Sequence, residues 1–276
     1  MTRSMSTAAA RSPLPDRLAM SDARDPVRNC KKTMTRRMHG PFIIQAQRAA
    51  MARAACACAI LLCIGLLLRG RAGGEPAPLA HEQRLDFDTV AAGQLPAGFT
   101  TALTGRGRPG AWHIVEDRTA PSGGKVLAQT STDKTSYRFP LCVFDQLAVT
   151  DITVSVQFKT ISGTVDQAAG LVARFKDQDN YYMARANTLE NNVRLYKVQQ
   201  GRRTQFAGVG VKVPGNQWQR LTLEVIGTHF RVFFNDTLLF EADDPTFRDA
   251  GKAGLWTKAD SVTYFDNLTM ARPDTR

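Results

Sequence analysis

The chain has 276 residues and a formal net charge of +11, with 43% hydrophobic and 22% charged residues. The charge is unevenly spread: residues 1–80 carry 13 Lys/Arg against 4 Asp/Glu, and residues 81–276 carry 23 against 21. The basic excess is therefore a property of the leader, which excludes reading the near-neutral remainder as a nucleic-acid binder.

Residues 1–53 read as a disordered basic leader. "AACACAILLCIGLLL", Ala54 to Leu68, is the one long apolar run. At 15 residues it falls short of the roughly 20 that a bilayer-spanning helix needs, and with Arg53 ahead of it the run suits the apolar part of an export signal. Such signals rarely have so long a preceding segment, so translation is expected to begin at Met38 or Met51. Residues 54–80 then form a signal helix and linker, and export to the periplasm or the outside is expected. Arg69 and Arg71 argue against clean cleavage. Anchoring to the inner membrane by residues 54–68 is the alternative, and it is the only membrane contact expected. Four of the five cysteines lie in this leader. Cys142 alone remains beyond it, so that part has no intrachain disulfide, and Cys142 reads as a small buried hydrophobe.

From Leu85 onward, apolar residues alternate with polar ones and turn residues interrupt the runs. "DITVSVQFKTI" sets Val154, Val156 and Phe158 against Ser155, Gln157 and Lys159. "RLTLEVIG" and "HFRVFFND" repeat the pattern with Leu221, Leu223, Val225 and with Phe230, Val232, Phe234. Trp112, Trp218 and Phe230 are expected to pack in the interior. Residues 81–272 are thus predicted to be one all-β domain, a sandwich or barrel.

Several motifs fail on context. "GRGRPG", Gly105 to Gly110, has the spelling of a dinucleotide loop, but a strand follows it where a helix is required. "DQDN", Asp177 to Asn180, lacks the glycine and terminal glutamate of a calcium loop. Asn235 and Asn267 begin glycosylation sequons, which matter only in a eukaryotic secretory route. No HExxH, GxSxG or paired CxxC occurs, so neither cofactor nor metal is expected.

"DNYYMARANTLENNVRLYKV" raises a sharper question, because Arg185 and Arg194 sit in mid-strand. Four-residue loops at 177–180 and 188–191 would place Arg174 opposite Met183, Arg185 opposite Arg194, and Asn187 opposite Asn192. One face then gathers Leu171, Ala173, Phe175, Tyr182, Ala184, Ala186, Val193 and Leu195 as core. The other gathers Arg174, Tyr181, Met183, Arg185, Asn187, Asn192, Arg194 and Tyr196. Like charges directly opposite on a sheet repel, so a compensating group is expected. Glu224 is one candidate, and a ligand oxygen is the other. Guanidinium forks suit carboxylates and vicinal hydroxyls, and Tyr181, Tyr196 and Trp256 are candidates to stack on a sugar ring. An open, solvated charged face remains the bland alternative.

The order "GL.ARF.D.DNYY", a Trp before a strand, "F.N", "G..GLWT" and "FDN" resembles the concanavalin A-like lectin/glucanase superfamily. The closer likeness is to its bacterial branch named for 3-keto-disaccharide hydrolases, over about residues 84–272. This resemblance implies a jelly roll of two curved antiparallel sheets, with "RLDFDTV" beside "TYFDNLTM" and ligands on the concave sheet or its rim. The glucanases' ExDxxE strand is absent: "EADDPT", Glu241 to Thr246, has Thr246 at the second glutamate. Hydrolysis by two carboxyls therefore has no visible second partner. Binding of a saccharide, with the arginines favouring an anionic one, is the leading expectation. A 3-keto-disaccharide hydrolase or lyase with Glu224 as general base is the alternative, and an envelope protein without small ligand is the third.

Overall fold

The structure, a computed structural model, describes residues 82–273. The leader, the apolar run and the export or anchoring expectation attached to them lie outside the described residues. Every regular element described is a strand. In chain order these are β1 (Gln83–Leu85), β2 (Phe99–Gly105), β3 (Trp112–Glu116), β4 (Lys125–Gln129), β5 (Arg138–Val149), β6 (Ile152–Ser162), β7 (Ala168–Asp177) and β8 (Asn180–Asn187). They continue with β9 (Asn192–Gln199), β10 (Arg202–Gly210), β11 (Gln219–Ile226), β12 (His229–Phe234), β13 (Thr237–Asp243), β14 (Gly251–Trp256) and β15 (Val262–Ala271).

The strands form two antiparallel sheets. The eight-stranded one runs β13-β12-β11-β6-β15-β4-β3, with β1 pairing β15 as the resemblance implied. The seven-stranded one runs β10-β9-β8-β7-β14-β5-β2. The alternating apolar residues of β6, β11 and β12 all point between the sheets, against Leu171, Tyr182, Ala184, Val193 and Leu195 of the other. Of the sandwich or barrel that the period-two pattern allowed, the chain forms the sandwich, with the jelly-roll arrangement that the resemblance implied. Cys142 is fully buried in that core, and burial pushes its thiol pKa up. Trp112 and Phe230 are also core. Trp218 is not. It precedes β11 and lies half-buried, its indole N–H donating to Thr119 Oγ1 at 3.3 Å and its ring 5.1 Å from Lys159 Nζ.

The seven-stranded sheet is buried on its outer face as well. Phe139, Leu141, Val143, Val172, Tyr181, Met183 and Trp256 form a second apolar cluster there. Arg138 ties a cover to its edge, donating to the carbonyls of Arg108, Pro109 and Ala259 and to Ser131 Oγ. The "GRGRPG" loop is part of that cover. Gly105 has φ +91°, and a side chain there would lie 2.2 Å from the Tyr137 carbonyl oxygen, so only glycine fits.

The β7–β8 register differs from the sequence expectation. Val172, not Arg174, stands opposite Met183, and the ladder slips between Ala173 and Asp177. A two-residue turn causes this: the Asp177 carboxylate accepts from Asp179 N at 2.8 Å and Asn180 Nδ2 at 2.9 Å. The surplus residues form a bulge with Arg174 at φ +49°. Parity reverses beyond it. Phe175 leaves the interior and packs beside Tyr181 at 5.9 Å, whereas Arg174 is carried away from the arginine face.

Candidate functional site

Flat geometry cannot explain what meets on the outer face of the seven-stranded sheet. Five strand spacings separate β10 from β5, about 24 Å on a flat sheet. Yet the Arg203 guanidinium of β10 lies 4.6 Å from the Phe139 ring of β5, and the Tyr137 hydroxyl donates to Gly201 O at 2.8 Å. The sheet is therefore strongly curled, and this face is its concave side. Arg203 also lies 4.6 Å from the Tyr196 ring and 5.8 Å from that of Trp256.

On this face β8 and β9 pair as the sequence predicted, with Met183 opposite Tyr196, Arg185 opposite Arg194 and Asn187 opposite Asn192. The two arginines are separated by their partners. Arg194 donates to Gln205 Oε1 at 3.0 Å. Arg185, 1% exposed, donates to Glu190 Oε2 and Asn192 Oδ1, both at 2.7 Å, and its guanidinium sits 5.5 Å from the Tyr196 ring. Glu190 stands in the β8–β9 turn, its N–H donating to Asn187 Oδ1 at 2.9 Å. Burial pushes its carboxyl up, but bonds from Arg185 and Asn192 and the Arg185 and Lys258 charges outweigh this, giving about 2.

Asn187 joins this group to a second carboxylate. Its amide donates to Asp166 Oδ1 at 2.8 Å, and Lys258 Nζ bonds the other oxygen. The loop carrying Asp166 is shaped by Asp260, which accepts from the N–H groups of Thr164, Val165 and Asp166 at 2.8–3.0 Å. Burial dominates at Asp166 and raises its pKa despite Lys258. Three donors on this face have no acceptor among the described residues: Arg185 Nε, Arg203 Nη1 and Trp256 Nε1 are buried and unbonded. Beside Glu190, a recess of about 260 Å³ is lined by Asn192, Arg194, Gln205, Gly208 and Val209. A side chain at Gly208 would meet Arg194 Cγ at 2.8 Å, so the glycine keeps that wall open.

Of the predicted site residues, the fold brings together Arg185, Asn187, Asn192, Arg194 and Tyr196. Tyr181 and Trp256 share the face but are fully buried. Tyr181 bonds Thr104 Oγ1 at 2.8 Å, and Trp256 stacks on Phe139 at 5.4 Å, so neither presents a free ring. Arg174 is elsewhere, held by the carbonyls of Thr150, Phe247 and Gly227. Glu224 is on the other sheet, pairing Arg231 at 2.8 Å. The carboxylates at the arginines are Glu190 and Asp166. Lys258 carried a signal, since it follows Trp256 by two residues. Glu190 carried one too, in the turn next to Arg185. Asp166 and Arg203 carried none locally.

The family described as the 3-keto-alpha-glucoside-1,2-lyase-like domain matches residues 99–271. No curated protein matches the sequence. Among solved structures, carbohydrate-binding module CBM66 from Bacillus subtilis is similar at 24% identity, covering 63% of this chain and 95% of its own, with a TM-score of 0.50. Domain 4 of AbnA, a GH43 extracellular arabinanase from Geobacillus stearothermophilus in complex with arabinotriose, has 16% identity, 72% and 94% coverage and a TM-score of 0.45. The VIP36 exoplasmic/lumenal domain in its Ca2+/Man-bound form has 11% identity, 71% and 91% coverage and a TM-score of 0.49. At these identities the likeness is one of fold.

Proposed function

The chain belongs to the 3-keto-alpha-glucoside-1,2-lyase-like domain family, and we propose that it holds a saccharide on the concave face of its seven-stranded sheet. Arg185, Arg203, Arg194, Asn192 and Glu190 are the groups that meet the sugar oxygens. One observation carries this reading: two buried guanidinium N–H groups, Arg185 Nε and Arg203 Nη1, lack acceptors. An unmade hydrogen bond at a buried donor costs about 1–3 kcal/mol, and a sugar oxygen or carboxylate relieves it. The adjoining recess, about 260 Å³, lies just below the roughly 300–1,000 Å³ of sites for larger ligands and so suits a single ring. Arg185, Arg194, Arg203 and Lys258 outnumber Glu190 and Asp166, which favours an anionic sugar. A carbohydrate-binding module among proteins of this fold accords with the reading. The apolar run 54–68 supports action outside the cytoplasm, after export or from an inner-membrane anchor.

The test is calorimetry on the full chain with neutral and acidic monosaccharides, alongside Arg185→Ala. Binding by the wild type that Arg185→Ala weakens is the expected result. Heats absent for every sugar, or unchanged in the variant, would remove the concave face from consideration.

A second reading, elimination across a 3-keto-glycoside, is favoured by the Glu190–Asn187–Asp166 chain. Environments that push two carboxyl pKa values apart are how acid and base roles are divided. A carbonyl acidifies the neighbouring C–H, so a single base suffices. Asp166 would be that base, since Glu224 is on the wrong sheet. Turnover of a 3-keto-glucoside that persists in Asp166→Asn would end this reading.

A further inference from the structure

We infer that Arg203, which no sequence motif marks, is the specificity-determining residue of this site, and that the sugar it selects carries a carboxylate, as a hexuronate does. The inference rests on the saccharide reading above and narrows it. Two cations of the cluster, Arg194 and Arg203, have no counter-ion among the described residues; Arg194 donates to Gln205 Oε1 at 3.0 Å, whereas Arg203 Nη1 is buried without an acceptor. Glu190 is committed to Arg185 and Asn192, and Asp166 to Lys258 and Asn187. Among the described residues no carboxylate oxygen lies within 4.0 Å of Arg203. Its surroundings are three aromatic rings at 4.6, 4.6 and 5.8 Å. The Arg185 guanidinium, 5.5 Å from the same Tyr196 ring, adds a like charge.

Aromatic faces offset part of the cost of a half-buried cation, but they accept no N–H in the guanidinium plane. Arg203 Nη1 and Arg185 Nε, both near the Tyr196 ring, are buried without an acceptor. A sugar hydroxyl fills a donor without cancelling the charge. A carboxylate does both, and its two oxygens match the fork geometry of guanidinium donors. The phenol of Tyr196, 5% exposed, leaves the rings little room to move, so the pair is preorganised for a planar anion.

The experiment is calorimetry on the full chain with glucuronate, galacturonate, their methyl esters, and glucose, at low and high salt. The expected result is that a uronate binds at least about tenfold tighter than its ester, with the gap shrinking as salt rises. Arg203→Gln should narrow the gap, and Arg203→Lys should restore the charge-dependent part only. If that variant does not fold, the uronate-to-ester comparison on the wild type decides alone. Equal affinity for uronate and ester overturns the inference, leaving the saccharide reading and Arg203 as a cation parked on aromatic rings. Absence of binding by every sugar overturns both.

Discussion

Arg174 and Arg185 are alike in burial, each 1% exposed, and unlike in what they do with their donors. Arg174 is at the end of the sandwich, where it donates to three main-chain carbonyls from separate loops. Every direction of its fork is used by the fold. Arg185 faces the concave side, bonds two side chains that themselves border a recess, and keeps Nε free. A buried arginine saturated by backbone is a clamp, and one left short of acceptors is prepared for something else. Burial by itself does not separate the two roles, whereas the acceptor census does.

The comparison breaks most readily at Arg174. Arg174→Ala strands the carbonyls of Thr150, Phe247 and Gly227, and should lower unfolding free energy in chemical denaturation by at least the roughly 1–3 kcal/mol of one unsatisfied buried acceptor, while the folded fraction keeps its sugar affinity. Arg185→Ala should show the converse emphasis, a loss of roughly thirtyfold in affinity, about 2 kcal/mol, for the sugar that binds best. A variant of Arg174 that weakens binding as much as one of Arg185 would erase the distinction.

Glu190 sharpens it through pH. Its carboxyl is at about 2 in the fold against an ordinary 4.5, a depressed value, so its ion pair stabilises above about 4.5 and is lost as pH falls towards 2. With the side chain 39% exposed, solvent screens the pair, and the effect should be below about 1 kcal/mol. Thermal melts of Glu190→Gln should lack that part of the acid limb, and an unchanged limb would mean that the pair with Arg185 does not form. The smallest effect is expected at Glu224. Glu224→Gln removes a partly exposed pair with Arg231, and should cost about 0.5 kcal/mol or less with no change in sugar affinity.

What was legible in the sequence is what depends on neighbours along the chain. Side chains alternate across a strand, so β6, β11 and β12 declared their core faces, and the Thr188–Asn191 turn set Arg185 against Arg194. The two-residue turn at Gln178–Asp179 and its bulge were misread, because a bulge reverses the faces of the β7 residues that follow it, and this one moved both Arg174 and Phe175. Glu224 has the right parity, but parity does not say which sheet a strand joins. Tertiary structure decided the site itself. Curling of the seven-stranded sheet brings Arg203 of β10 over Phe139 of β5, and a loop held by Asp260 delivers Asp166 to Asn187. Both are long-range closures, set by how the sheets pack rather than by any local run of residues.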